Sequence, residues 1–211
     1  MANSCRGTRR GGRLPGAVAC HLMAASPSSR ALDSAPVPAP RQPREPGAPY
    51  RVSLVCLGNI CRSPMAETVL RAALAGVELD GLVTVDSAGT GDWHIGQPMY
   101  PEASAALAAR GYDGTAHRAR QFNPSWIAER DLVLAMDARN LAALRRMAPA
   151  ADRDRIVLFG EAGGLGPADA EIPDPYGGGP DDFGRVLDLL GAAAPVIVAR
   201  LARLLKTVPP E

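Results

Sequence analysis

Cysteine is scarce in this chain, and what there is cannot form a disulfide framework. Of 211 residues only four are Cys: Cys5, Cys20, Cys56 and Cys61, the last two in one short stretch. That distribution excludes a fold stapled by disulfides and fits a reducing compartment where thiols do chemistry. Histidine is scarcer still. His21, His94 and His117 show no metal-ligand spacing, so neither a metal nor another cofactor is expected. No apolar run reaches the roughly 18 residues needed to span a bilayer, which argues against a membrane partner. The glycine-rich Gly160–Gly166 stretch lacks both the Walker pattern and the dinucleotide fingerprint.

A uniform charge is also missing. The formal net charge of +1 averages two unlike segments. Residues 1–49 hold eight of the 20 prolines and seven Arg against two acids, a balance of +5. Residues 50–211 hold 16 basic and 20 acidic residues, a balance of −4. The expectation is a disordered basic arm over 1–49 followed by a globular domain over 50–211. A mildly acidic body argues against nucleic acid as a partner. Thr8-Arg9-Arg10 faintly suggests an export signal, but Pro15, Cys20 and His21 interrupt the apolar patch after it. The match of Ala17-Val18-Ala19-Cys20 to a lipidation site is equally weak. The expected location is therefore the cytoplasm.

From Tyr50 onward, strands and helices alternate. Strands are expected at Arg51–Cys56, Leu82–Ala88, Asp131–Met136 and Arg155–Phe159, where short β-branched apolar runs lie between turn residues. Helices are expected at Pro64–Leu74, Pro101–Arg110 and Ala138–Met147. A final helical stretch begins near Asp181, and Gly191 and Pro195 should bend or break it. Such alternation implies right-handed crossovers and a parallel sheet covered by helices on both faces, a doubly wound α/β domain. Ligands bind such sheets at the carboxyl ends of the strands. The loops after Cys56, Ser87 and Met136 should then share one rim.

The first of those loops carries the chemistry. In Cys56-Leu57-Gly58-Asn59-Ile60-Cys61-Arg62-Ser63, a strand end meets a helix start, where unpartnered backbone N–H groups converge on an anion. Gly58 and Asn59 tolerate the left-handed backbone such a nest demands. The guanidinium of Arg62 can grip two phosphate oxygens at once. In this field a Cys56 thiolate is favoured as a nucleophile towards phosphorus, and the loop can stabilise the equatorial oxygens of the transition state. Ser63 is placed to hydrogen-bond the thiolate.

The stretch Val55-Cys-Leu-Gly-Asn-Ile-Cys-Arg-Ser-Pro-Met-Ala-Glu67 closely resembles the signature of the low-molecular-weight protein tyrosine phosphatases, bacterial type. Further motifs in the same order are Asp86-Ser87-Ala88-Gly89-Thr90, Trp93-His94-Ile95-Gly96, His117 to Gln121, Met136-Asp137 and Asp174-Pro175-Tyr176. The resemblance covers Tyr50 to about Leu205. It implies a four-stranded parallel sheet ordered 2-1-3-4 and metal-independent hydrolysis of protein phosphotyrosine through a phosphocysteine. Cys56, Arg62 and Asp174 would be catalytic, with Asp174 the general acid. Residues Leu57, Gly58, Asn59, Ile60, Cys61 and Arg62 would bind phosphate. Ser63, Ser87 and His117 would support the loop, and Ile60, Trp93 and Tyr176 would line the substrate pocket. Two readings of Cys61 stay open: a reversible disulfide with Cys56, or a small buried residue.

The sequence departs from the family pattern where Gly177-Gly178-Gly179 follows Tyr176, in place of a second aromatic residue. Three rivals follow. A protein-arginine phosphatase of the same fold fits Gly177, but its loop typically carries Thr where this chain has Ile60. An arsenate reductase needs relay cysteines downstream, and none follows Cys61. A binding module without activity would need neither Cys56 nor Asp174.

Overall fold

The computed structural model describes residues 39–206. Most of the expected basic arm therefore lies outside the described residues. Residues 39–49 form no helix or strand, yet they are tied to the body. Arg44 donates through its backbone N–H to Asp131 (2.6 Å) and through its guanidinium to the carbonyls of Arg130 (2.8 Å) and Ile127 (3.0 Å) and to Asp152 (2.6 Å). Arg41 pairs with Asp154, and the buried Tyr50 hydroxyl donates to the Arg41 carbonyl. The sequence grouped this segment with the arm because its prolines and polar residues show no periodicity. Its anchors are individual side chains, which leave no periodic trace.

The strands are β1 (Tyr50–Cys56), β2 (Val83–Gly89), β3 (Leu132–Ala135) and β4 (Ile156–Leu158). They form one parallel sheet in the order β2-β1-β3-β4. The helices are α1 (Arg62–Ala75), α2 (Pro101–Ala109), α3 (Ala138–Met147), α4 (Phe159–Ala162) and α5 (Pro180–Lys206). Side chains of a strand alternate between faces. Val52, Leu54 and Cys56 thus join the larger core with Met65 and Leu70 of α1 and Phe183 and Leu187 of α5. Val55 faces the opposite core with Val133, Ala135 and Leu144 of α3. The same alternation puts Cys56 on the face that α1 covers.

Two expectations change. Phe159 does not end β4 but opens α4, with its fully buried ring in the larger core. The final helix is continuous through Gly191 and Pro195. Its stripe from Phe183 through Val186, Leu190, Ala194 and Ile197 to Leu201 is buried along its length. That burial outweighs one missing backbone bond, because each fully buried aliphatic side chain contributes roughly 1.5–3 kcal/mol.

Candidate active site

The sheet register sets the site. Cys56 ends β1 opposite Gly89 at the end of β2, and Val55 pairs with Ala135 at the end of β3. The loops after these strands therefore meet, as expected for the carboxyl edge of a parallel sheet. Helix α1 starts at Arg62 with Cys61 as its N-cap and no side-chain cap bond. Its free N–H groups and dipole face the loop that leads into it.

Within that loop, Cys56 is buried, with Sγ 3.0 Å from Ser63 Oγ. The Asn59 backbone N–H donates to Sγ at 3.2 Å. Among the described residues, the N–H groups of Leu57, Gly58, Ile60 and Cys61 bond to no protein acceptor. A turn that leaves consecutive N–H groups unspent is a nest for an anion. Asn59 adopts φ 56°, the left-handed conformation that Asn tolerates. Gly58 does not, contrary to the expectation that it would share that conformation. A Cβ there would sit 2.8 Å from the His94 ring, which would have to shift to admit it.

The fully buried Asn59 is the keystone. Its Nδ2 donates to Ser63 Oγ and Ser87 Oγ, both at 2.9 Å, and its Oδ1 accepts the Arg120 backbone N–H at 2.9 Å. Its carbonyl accepts from His117 Nε2 at 2.7 Å. Since a carbonyl can only accept, Nε2 must carry a proton. Burial pushes the His117 pKa below its ordinary value, partly offset by this bond. Asn59, Ser63, Ser87 and His117 thus form one bracing network beneath the loop.

Arg62 is nearly fully buried and reaches two carboxylates. Nη1 donates to Asp137 at 2.6 Å and to the Ile172 carbonyl at 3.2 Å, and Nη2 donates to Asp174 at 2.8 Å. Burial opposes its charge, but Cys56, Asp137 and Asp174 more than compensate, and its pKa is raised. Asp137 also caps α3 by accepting the Asn140 N–H at 2.7 Å. Cys61 is buried as well. Burial first, then the neighbouring Cys56, pushes its thiol up to about 12, which keeps it protonated at neutral pH.

A cavity of about 170 Å3 opens over Cys56 and Arg62. Ile60, Trp93, His94, Asp174 and Tyr176 contribute to its walls. Trp93 is 66% exposed and Tyr176 is 59% exposed, so both present aromatic surface to solvent. The Tyr176 ring rests against Tyr100 at 5.0 Å, which in turn stacks on Phe183. The structure thus brings together every residue that the sequence singled out. It adds three more. Asp137 holds Arg62, and Arg120 joins Asn59 to Ser87 through its backbone N–H and an Nε donation to the Ser87 carbonyl at 2.8 Å. Gly89 lies so close to the loop that a Cβ would meet the Leu57 carbonyl at 2.7 Å. All three fell within motifs that the sequence displayed, but nothing in those motifs assigned them a role. Among the described residues, no group of three or more His, Cys, Asp or Glu is arranged to hold a metal ion.

Residues 51–207 match the family described as low molecular weight phosphotyrosine protein phosphatase. A low molecular weight protein-tyrosine-phosphatase of Streptomyces coelicolor is 48% identical over 153 residues, covering 71% of this chain and 92% of that protein. The Bacillus subtilis protein YfkJ, named as a low molecular weight protein-tyrosine-phosphatase, is 36% identical over 155 residues, covering 72% of this chain and 96% of its own. Its crystal structure superposes with a TM-score of 0.68, covering 74% of this chain and 97% of that one at 34% identity. A protein tyrosine phosphatase structure from Entamoeba histolytica gives 0.69 at 32% identity, covering 73% and 97% of the two chains.

Proposed function

The chain belongs to the low molecular weight phosphotyrosine protein phosphatase family, and from that premise we propose that it hydrolyses protein phosphotyrosine through a phosphocysteine at Cys56. The carrying observation is Cys56 Sγ, hydrogen-bonded by Ser63 and Asn59 at the base of a loop with unspent N–H groups. The Asn59 amide donates to Ser63 Oγ, which leaves the single serine proton two acceptors, Sγ at 3.0 Å and the Ala88 carbonyl at 3.2 Å, and a thiolate at Sγ is the stronger of them. A serine so placed stabilises the thiolate before attack and when it leaves again.

In the first step, the Cys56 thiolate forms a bond to phosphorus as the bond to the tyrosine oxygen breaks. Asp174 gives that phenolate its proton. In the second, Asp174 takes a proton from water, whose oxygen attacks phosphorus and releases inorganic phosphate and the thiolate. The N–H groups of the loop and Arg62 hold the equatorial oxygens throughout. An incoming phosphate competes with Asp174 for Arg62 Nη2, which frees the carboxyl to face the leaving group.

Ile60 and the exposed faces of Trp93 and Tyr176 support an aryl substrate over phosphoarginine. The acidic balance of residues 50–211 supports phosphoprotein rather than nucleic-acid partners. The free thiols of Cys56 and Cys61 support a cytoplasmic location. No helix among the described residues is long and apolar enough to cross a membrane. The deciding experiment compares phosphotyrosine and phosphoarginine peptides, then aryl phosphates of rising leaving-group pKa, in the parent chain and Asp174→Ala. Expected are preference for phosphotyrosine and a loss in the variant that grows with leaving-group pKa, to about 10²–10⁴-fold. An equal loss for all leaving groups would remove Asp174 from the acid role.

A further inference from the structure

The catalytic mouth is not the largest cavity. One of about 610 Å3 opens behind the phosphate loop, between α1 and residues 111–120. That volume is typical of small-molecule sites, whereas the catalytic mouth holds about 170 Å3. Three guanidinium groups line it, each tethered to backbone. Arg71 donates to the Val85 carbonyl at 2.6 Å, Arg118 to the His117 carbonyl at 2.6 Å and Arg120 to the Ser87 carbonyl at 2.8 Å. A tethered guanidinium keeps its charge and its remaining donors while losing little freedom on binding.

Two carboxylates share the wall, and both are engaged. Glu67 pairs with Arg71 at 2.9 Å, and Asp113 accepts both the N–H and the hydroxyl of Thr115. Arg120 is also 3.3 Å from Asp86. Arg118 has no carboxylate partner among the described residues. Three Arg against two carboxylates leave the wall a surplus of one positive charge.

This wall is also the back of the catalytic brace. His117, Ser87 and Arg120 line the cavity, and all three bond to Asn59. We propose that the cavity is a second ligand site for a small organic anion, its carboxylate or phosphate head on Arg118 and Arg120, and that occupation slows turnover at Cys56. An anion that draws Arg120 and His117 towards itself favours a state in which Asn59 is less firmly held, and a ligand shifts an equilibrium only through such differential contact. The readout, though not the site, rests on the phosphatase reading.

The test is steady-state turnover of p-nitrophenyl phosphate by the full chain, with citrate as the carboxylate probe and methylenediphosphonate as the phosphoryl probe. Neither offers an ester for Cys56 to cleave. At saturating substrate at least one probe lowers kcat about two- to tenfold. Arg118→Glu removes that fall and leaves turnover without probe unchanged, and Arg118→Lys keeps part of it. Which probe acts identifies the head group. A rise in KM alone places the probes at Cys56 and overturns the proposal, as does a kcat effect that survives Arg118→Glu or no effect of either probe. Were the chain to show no turnover at all, the phosphatase reading would fail. Calorimetric titration of the same probes into the Cys56→Ser chain then decides the cavity: heat lost on adding Arg118→Glu supports the site, and no heat refutes it.

Discussion

Replacing Asn59 tests the bracing argument most directly. Asn59→Ala removes three side-chain hydrogen bonds, to Ser63, Ser87 and Arg120, from a fully buried position. It also puts a residue with a Cβ but no compensating local bonds at φ 56°. At about 1 kcal/mol per bond, with up to about 1 kcal/mol more because Asn tolerates the left-handed backbone better than Ala, the loss is about 3–4 kcal/mol. Asn59→Gly loses the same bonds without the Cβ clash, so it should be less destabilised than Asn59→Ala by about 1 kcal/mol, after the greater freedom of glycine in the unfolded chain is counted. Urea unfolding of the three proteins, read by far-UV circular dichroism, gives both differences. Turnover of p-nitrophenyl phosphate should fall in both variants by at least about tenfold, because a loosened loop misplaces its N–H groups. If Asn59→Ala proves as stable as Asn59→Gly, strain at φ 56° is not what selects Asn here. If both keep full kcat, the network does not brace the loop.

Other outcomes follow from the same geometry. Asp137→Asn should lower kcat more than it raises KM, because Arg62 loses its 2.6 Å ionic partner, while the α3 cap is kept, since Asn caps a helix as well as Asp, whereas Asp137→Ala should cost a further roughly 1 kcal/mol of stability; steady-state kinetics and urea unfolding separate the two effects. Gly89→Ala should abolish most activity, since the Leu57 carbonyl and the Asn59 N–H that its Cβ meets are backbone and cannot swing away. The folded pKa of His117 lies below its unfolded value near 6.5. Between the two pKa values the unfolded chain binds more protons. The stability contributed by neutral His117 is therefore present above pH 6.5 and is lost as pH falls through the folded pKa. His117→Gln should flatten that part of a Tm-versus-pH profile, and an unchanged slope would count against it. Arg44→Ala should cost roughly 1–3 kcal/mol by removing the guanidinium bonds to Ile127, Arg130 and Asp152, with kcat unchanged, as thermal unfolding and turnover can show.

Sequence by itself determined the order of strands and helices and the residues of the strand-to-helix loop, from which the reacting groups are proposed. The short β-branched apolar run of β1 and the strand-to-helix junction at Cys56–Arg62 are local properties, as is the alternation of strands and helices that makes the sheet parallel. Local rules decided them because burial on both faces and the start of a helix leave residue-type signatures within a few positions. Tertiary structure decided what those rules do not encode. It set Asp137 rather than solvent against Arg62, tied Arg120 to Asn59 across 61 positions of sequence, and brought Gly89 against the Leu57 carbonyl. It also carried α5 through Pro195, because the buried stripe from Phe183 to Leu201 outweighs one lost backbone bond. Hydrogen bonds and packing between distant segments depend on where other elements come to lie. The residues of the loop and its shape as an anion nest were therefore legible in the sequence, while the braces that hold it in shape emerged only with the fold.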